Sequence, residues 1–129
     1  MLQNAVKSYQ TVDKETMSGR ETEARVLTQA ALKLIDCLKH WDAPDRNSRL
    51  DAALKYNQRI WSIFQVEIAK PDNPLPHPIK MNLLHLSRFI DKRIFDTMAF
   101  PDAKKLNIII KINQNIAAGL RGSASDSAA

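Results

Sequence analysis

Apolar side chains recur along the chain at intervals of three and four residues, and prolines and helix-capping residues interrupt them at regular places. Leu27, Ala31, Leu34 and Leu38 share one face of a helix. Ser18-Gly19-Arg20-Glu21 is a capping box at its start, and the helix is expected to end near His40, before Trp41-Asp42-Ala43-Pro44. A second helix is expected from about Arg46 to Ala69, capped by Asp45 or Ser48. Its stripe is Leu50, Leu54, Asn57, Trp61, Phe64 and Ile68, with Ile60 beside Trp61. Lys70-Pro71-Asp72-Asn73-Pro74 stops it, because proline cannot continue the amide ladder. Pro76 and Pro78 suit the first turn of a third helix carrying Ile79, Leu83, Leu86, Ile90 and Ile94. Phe100-Pro101-Asp102 breaks and recaps. A fourth helix is expected from Asp102 to about Ala118, with Leu106, Ile109, Asn113, Ile116 and Leu120 on one face and Gly119 as C-cap.

Residues 1–17 carry no strong period and read as an N-terminal arm, with a short helical turn around Asn4–Tyr9. Residues 121–129 are small and polar and read as a disordered C-terminal tail. No alternating period-two segment competes; Ile108-Ile109-Ile110 is β-prone locally, but the Asp102 cap and the helical spacing around it outweigh that. The expectation is an all-α domain over residues 18–120, a small bundle of four main helices.

Length and composition narrow the chemistry. At 129 residues, with 44% apolar and 26% charged residues, the chain has one domain's worth of material and a globular balance. Its 3 glycines, at 19, 119 and 122, are too scattered for a phosphate-cradling loop. The single Cys37 excludes an internal disulfide and any multi-cysteine zinc site, and fits a reducing, cytoplasmic setting. No apolar run is long enough to span a membrane, and Met1–Gln10 lacks the apolar centre of a signal peptide. The net charge of +5 permits nucleic acid or an acidic partner without requiring either.

No catalytic or metal-binding constellation is legible. His40, His77 and His85 show no one-turn pairing, and His85 sits on a polar face with Arg88 and Lys92. Cys37 flanks the Leu34/Leu38 stripe and reads as a small hydrophobe. Glu21 and Glu23 lie in a first helical turn, where carboxylates complement the helix dipole, and Asp91 and Asp96 face different ways. The chain is therefore expected not to be an enzyme and to need no cofactor. Lys80, Arg88, Lys92 and Arg93 on the third helix, with Lys104, Lys105 and Lys111 on the fourth, form a set that suits phosphate contacts. Phe89, Phe95 and Phe100 nearby suit the core better than base stacking, so a solvated face is the preferred reading.

The most informative feature is an apolar surplus. Ile108 and Ile112 lie one turn apart, off the main stripe of the fourth helix, and Met81, Leu84 and Phe95 lie off that of the third. A second stripe must bury against something: either the fourth helix is central and touches several neighbours, or Met81, Leu84, Ile108 and Ile112 form a face for a partner helix. Asn57 and Asn113 interrupt apolar stripes. They pair with each other, bond to a loop backbone, or sit at the stripe edge in water.

Four segments carry a family resemblance. Tyr56-Asn57-Gln58-Arg59-Ile60-Trp61 resembles the N-x-x-L/I-W segment of the flagellar biosynthesis regulator FlaF family. Ser87-Arg88-Phe89-Ile90 resembles its S-x-[WF]-[IV] segment. The stretch from Ile110 to Leu120, through Asn113 and Gly119, resembles its closing [IV]-x-[IV]-N-x-x-[IM]-x-x-G-L. Tyr9 and the segment Arg20–Leu27 resemble its opening. The likeness covers about residues 9–120, and the proline-rich linker Lys70–Pro78 departs from it.

That resemblance implies a small helical cytoplasmic protein of flagellated bacteria, a flagellin-binding secretion chaperone and positive regulator of flagellin synthesis. Its implied partners are flagellin and, beyond it, the FlbT regulator or the flagellar export apparatus. It also implies that Asn57, Trp61, Asn113 and Gly119 are structural. The alternative is an RNA-binding regulator acting on flagellin messenger RNA through the basic faces.

Overall fold

The computed structural model describes residues 19–128, with side chains as far as residue 122. Four helices follow in order: α1 (Gly19–Lys39), α2 (Arg46–Ala69), α3 (His77–Ala99) and α4 (Lys104–Ala128), with no strand among the described residues. The expected N-terminal arm, its Asn4–Tyr9 turn and the Ser18 cap lie outside the described residues.

Cross-helix contacts fix the topology. Arg49 reaches Asp36 at 3.0 Å and the Asn57 amide reaches the Ala30 carbonyl at 3.1 Å, so α1 and α2 are antiparallel. Gln65 donates to Asp91 at 2.8 Å, while Lys80 approaches the Lys70 carbonyl at 3.4 Å, which makes α2 and α3 antiparallel. Arg121 pairs with Glu21 at 3.1 Å and closes α4 back along α1. The result is an up-and-down bundle. α4 packs most extensively on α1 and α3 on α2, whereas α3 and α4 touch least.

The helix ends follow local chemistry, with two corrections. Asp45 precedes α2 but makes no side-chain cap bond. Its carboxylate is drawn onto Arg49 at 3.0 Å, and Arg49 also holds Asp36, a charge-assisted bridge that outcompetes a cap amide. Nor is Gly119 a C-cap: the helix runs through it to Ala128, and no described glycine has a positive φ. The turns beyond Ala118 are tied down, since Arg121 donates to Thr28 at 3.1 Å as well as to Glu21. Elsewhere the expected signals operate. Lys70 turns extended after α2, and the Asn73 amide donates to the exposed Glu67 carbonyl at 3.1 Å. Pro78 sits in the first turn of α3. Asp102 accepts from the Lys104 amide at 2.9 Å at the start of α4.

The core is built from the expected stripes: Leu27 and Leu34 of α1, Leu54 and Trp61 of α2, Ile90 and Ile94 of α3, Leu106 and Ile109 of α4, all buried. Cys37 is buried among them. The stripe of α3 is buried only in its second half. Ile79 is 45% exposed, and Leu83 and Leu86 are half-buried, because α4 turns toward α1 and leaves the first half of α3 uncovered. Among the described residues, no helix is long and apolar enough to cross a membrane.

Candidate partner-binding face

At the centre of the bundle the two interrupting asparagines find each other. The Asn113 amide donates to the Asn57 carbonyl oxygen at 2.7 Å, and the Asn113 oxygen accepts from the Trp61 indole at 2.8 Å. Asn57 spends its own amide hydrogens on the carbonyls of Ala30 at 3.1 Å and Ala53 at 2.9 Å. All three side chains are at most 1% exposed. One polar chain thus links α1, α2 and α4 in the middle of an apolar core and fixes their register; a half-turn slip of any one would strand a buried polar group. Phe64 meets the Trp61 ring edge-on at 6.0 Å.

The apolar surplus lies mainly on α3 and its flanks. Leu75, Ile79, Phe89, Phe95 and Phe100 are exposed, Phe95 by 60% and Phe100 by 71%; Val66 at the end of α2 is 55% exposed. The expectation that Phe89, Phe95 and Phe100 belong to the core is therefore corrected. Phe95 lies on the outer side of α3, and Phe100 caps its end outside the bundle. The off-stripe positions of Phe95, Met81 and Leu84 in the heptad pattern are the sequence signal for this face; nothing in the sequence marks Val66. Met81 and Leu84 are half-buried on α3. Ile108 and Ile112 are also half-buried, and they pack against the margin of the core. The four side chains are thus on two helices that scarcely touch, and only the α3 pair lies beside the exposed set.

The basic residues are partly engaged within the fold. Lys105 pairs with Asp96 at 3.0 Å and donates to the Phe100 carbonyl at 2.7 Å. The Arg93 guanidinium lies 5.6 Å from the Phe89 ring centre. Lys80 is turned to the Lys70 carbonyl. Arg88, Lys92, Lys104 and Lys111 are exposed, as is His85.

A shallow cleft, with room for about one water molecule, opens between α1 and α2, lined by Glu23, Val26, Ile60, Ile63 and Phe64. Burial, and secondarily the Glu67 charge, push the Glu23 carboxyl above its ordinary range. Burial likewise pushes the Cys37 thiol up, with Asp36 adding to it, so the sulfur stays protonated and unreactive near neutrality. Among the described residues no group of histidine, cysteine and carboxylate side chains is placed to hold a metal ion.

Fold and site together define a small antiparallel helical bundle, locked through its middle by an amide–indole chain and bearing uncovered apolar side chains mostly on α3 and its flanks, with Leu32 of α1 and Val66 of α2 exposed besides. The chain belongs to the FlaF family: the family model for flagellar protein FlaF matches residues 5–120. It is thus a member of a family of flagellar proteins. Asn57, Trp61, Asn113 and Gly119, the family-motif positions, divide accordingly: the first three build the buried network, and Gly119 lies exposed within α4. No curated protein and no solved structure matches the chain.

Proposed function

We propose that this protein is a cytoplasmic, non-enzymatic chaperone that binds flagellin before export and thereby promotes flagellin synthesis. The observation that carries this reading is the outer apolar side of α3, where Met81, Leu84 and Phe95 share one face of the helix and Phe100 stands exposed at its end, on a domain of a flagellar family. Flagellin's termini are amphipathic helices that stay unfolded until assembly. A chaperone must cover their apolar face with an apolar face of its own, in a helix-in-groove mode. Ile108 and Ile112, packed at the core margin of α4, lie apart from that face. Contact with FlbT or the export apparatus would follow from the loaded complex.

The RNA reading draws on Arg88, Lys92, Lys104 and Lys111, which are exposed. It is the weaker one, because Lys80, Arg93 and Lys105 of the same set are occupied within the fold. Co-elution with purified monomeric flagellin on a sizing column tests the leading reading. A complex that survives high salt supports it. Failure to co-elute, together with salt-sensitive binding of flagellin messenger RNA, replaces it with the alternative.

A further inference from the structure

We infer that the edge of α3 facing α4, around Phe89 and Arg93, is a second docking surface, and that its occupant is a short acidic amphipathic helix of another protein. This edge is not the outer face of Met81, Leu84 and Phe95: Phe89 stands about 120° round the helix from Phe95. The Lys105–Asp96 bridge at 3.0 Å fixes the side it faces, because Phe89, Arg93 and Asp96 follow one another at steps of four and three along α3. α3 and α4 touch least of the packed helix pairs, and Phe89 is 42% exposed at their open edge. Across from it, Ile112 follows Lys105 by about two turns on the same side of α4. Half-buried and packed on the core, Ile112 forms the floor of the edge.

Charge names the occupant. The Arg93 guanidinium lies 5.6 Å from the Phe89 ring centre, makes no ion pair among the described residues, and keeps a buried Nε–H without a hydrogen-bond partner. Lys92 beside it, and Lys104 and Lys111 on the outward side of α4, are exposed and likewise form no ion pair among the described residues. The nearby carboxylates are spent, Asp96 on Lys105 and Asp102 on the Lys104 amide at 2.9 Å. An arginine held against a ring by packing, with its donors unspent, is preorganised for a carboxylate. A helix that laid one apolar side chain over Phe89 and Ile112 would carry acidic residues a turn away to Arg93 and Lys92 on one flank and to Lys104 and Lys111 on the other. A second copy does not fit, because this edge laid on itself sets its cations against like charges. RNA fits less well: cations already hold the rings of Phe89 and Phe100, with Lys105 at 5.7 Å from the latter, and the Asp96 side chain, 48% exposed, stands in the middle of the track. The surface lies beyond the flagellin-binding reading and does not depend on it.

A pair of synthetic helical peptides tests this on the full chain, alike in a leucine stripe and differing only in glutamate or glutamine along its flanks. Fluorescence anisotropy should show the glutamate peptide binding about tenfold or more tighter than the glutamine one, with amide shifts centred on Phe89, Arg93 and Ile112. Arg93→Gln should abolish that preference. Lys92→Glu combined with Lys111→Glu, at exposed positions, should abolish it with an unchanged melting temperature. Phe95→Glu, on the outer face, should leave peptide binding as it was, so failure of the flagellin reading and failure of this one are told apart. Equal binding of the two peptides, a preference that survives the charge changes, or shifts centred on Met81, Leu84 and Phe95 overturns the inference. An oligouridine that binds more tightly than the glutamate peptide and shifts the same amides makes the occupant RNA. Self-association that shifts them without peptide makes it a second copy. Either result also overturns the inference.

Discussion

Asn113→Ala removes both polar atoms on which the middle of the core depends. The Trp61 indole N–H loses its acceptor at 2.8 Å, and the Asn57 carbonyl oxygen loses its donor at 2.7 Å. Both orphaned groups are essentially out of contact with water. A buried donor or acceptor left without a partner costs about 1–3 kcal/mol, so two cost about 2–6 kcal/mol. Domains of this kind have only about 5–15 kcal/mol in total, and the variant should lie near the edge of folding. Urea unfolding followed by far-ultraviolet circular dichroism should show the midpoint fall with little change in slope. The cycle with Trp61→Phe isolates the indole bond. In the Asn113→Ala background the phenyl ring removes an orphan instead of a partner, so the two losses together should be smaller than their sum by about 1–2 kcal/mol. An Asn113→Ala loss below about 1 kcal/mol, or strict additivity with Trp61→Phe, would refute the claim that these groups are locked by each other.

Trp61→Ala should cost about 3–5 kcal/mol, enough to unfold a marginal bundle; a normal melt with loss of flagellin binding would make it a contact residue instead. Phe95→Glu should leave thermal unfolding nearly unchanged and weaken flagellin binding at least tenfold, about 1.4 kcal/mol, whereas Ile112→Glu, on the core margin, should lower the melting temperature as well. Glu23 gives a pH signature. Its carboxyl titrates higher in the folded chain than unfolded, so the folded state holds more protons in the window just above the ordinary carboxylate range, and stability falls as pH rises through that window. Glu23→Gln should flatten that slope and raise stability at neutral pH; an unchanged pH profile contradicts the assignment. Arg121→Ala, which removes a half-exposed ion pair, should cost under about 1 kcal/mol yet speed amide exchange in the last turns of α4.

What the sequence made legible was whatever a single residue or a short period determines. Pro44, Pro71 and Pro74 mark real breaks, and the α2 bounds at Arg46 and Ala69 match the expected ones because the stop signals there are strong. The Asn57–Asn113 contact was visible as one of three options, since two amides on facing stripes have few other ways to be satisfied. Choices decided by competition between partners were not legible. Asp45 is a good cap residue that Arg49 claims first. Gly119 is a good C-cap residue overruled by Arg121 anchoring the helix beyond it. The exposure of Ile79 and Phe95 depends on which neighbours α3 lacks, and periodicity along one helix carries no information about that. The apolar surplus was therefore readable as an amount, but its division between the core margin at Ile112 and the open side of α3 was not.

Titration calorimetry of monomeric flagellin into the full chain, at low and at high salt and over a range of temperatures, tests the central claim most directly. Burial of the α3 face predicts a stoichiometric complex whose affinity changes little with salt and whose heat capacity of binding is clearly negative. Absence of binding heat at every temperature, or an affinity that collapses as salt is raised, would contradict it.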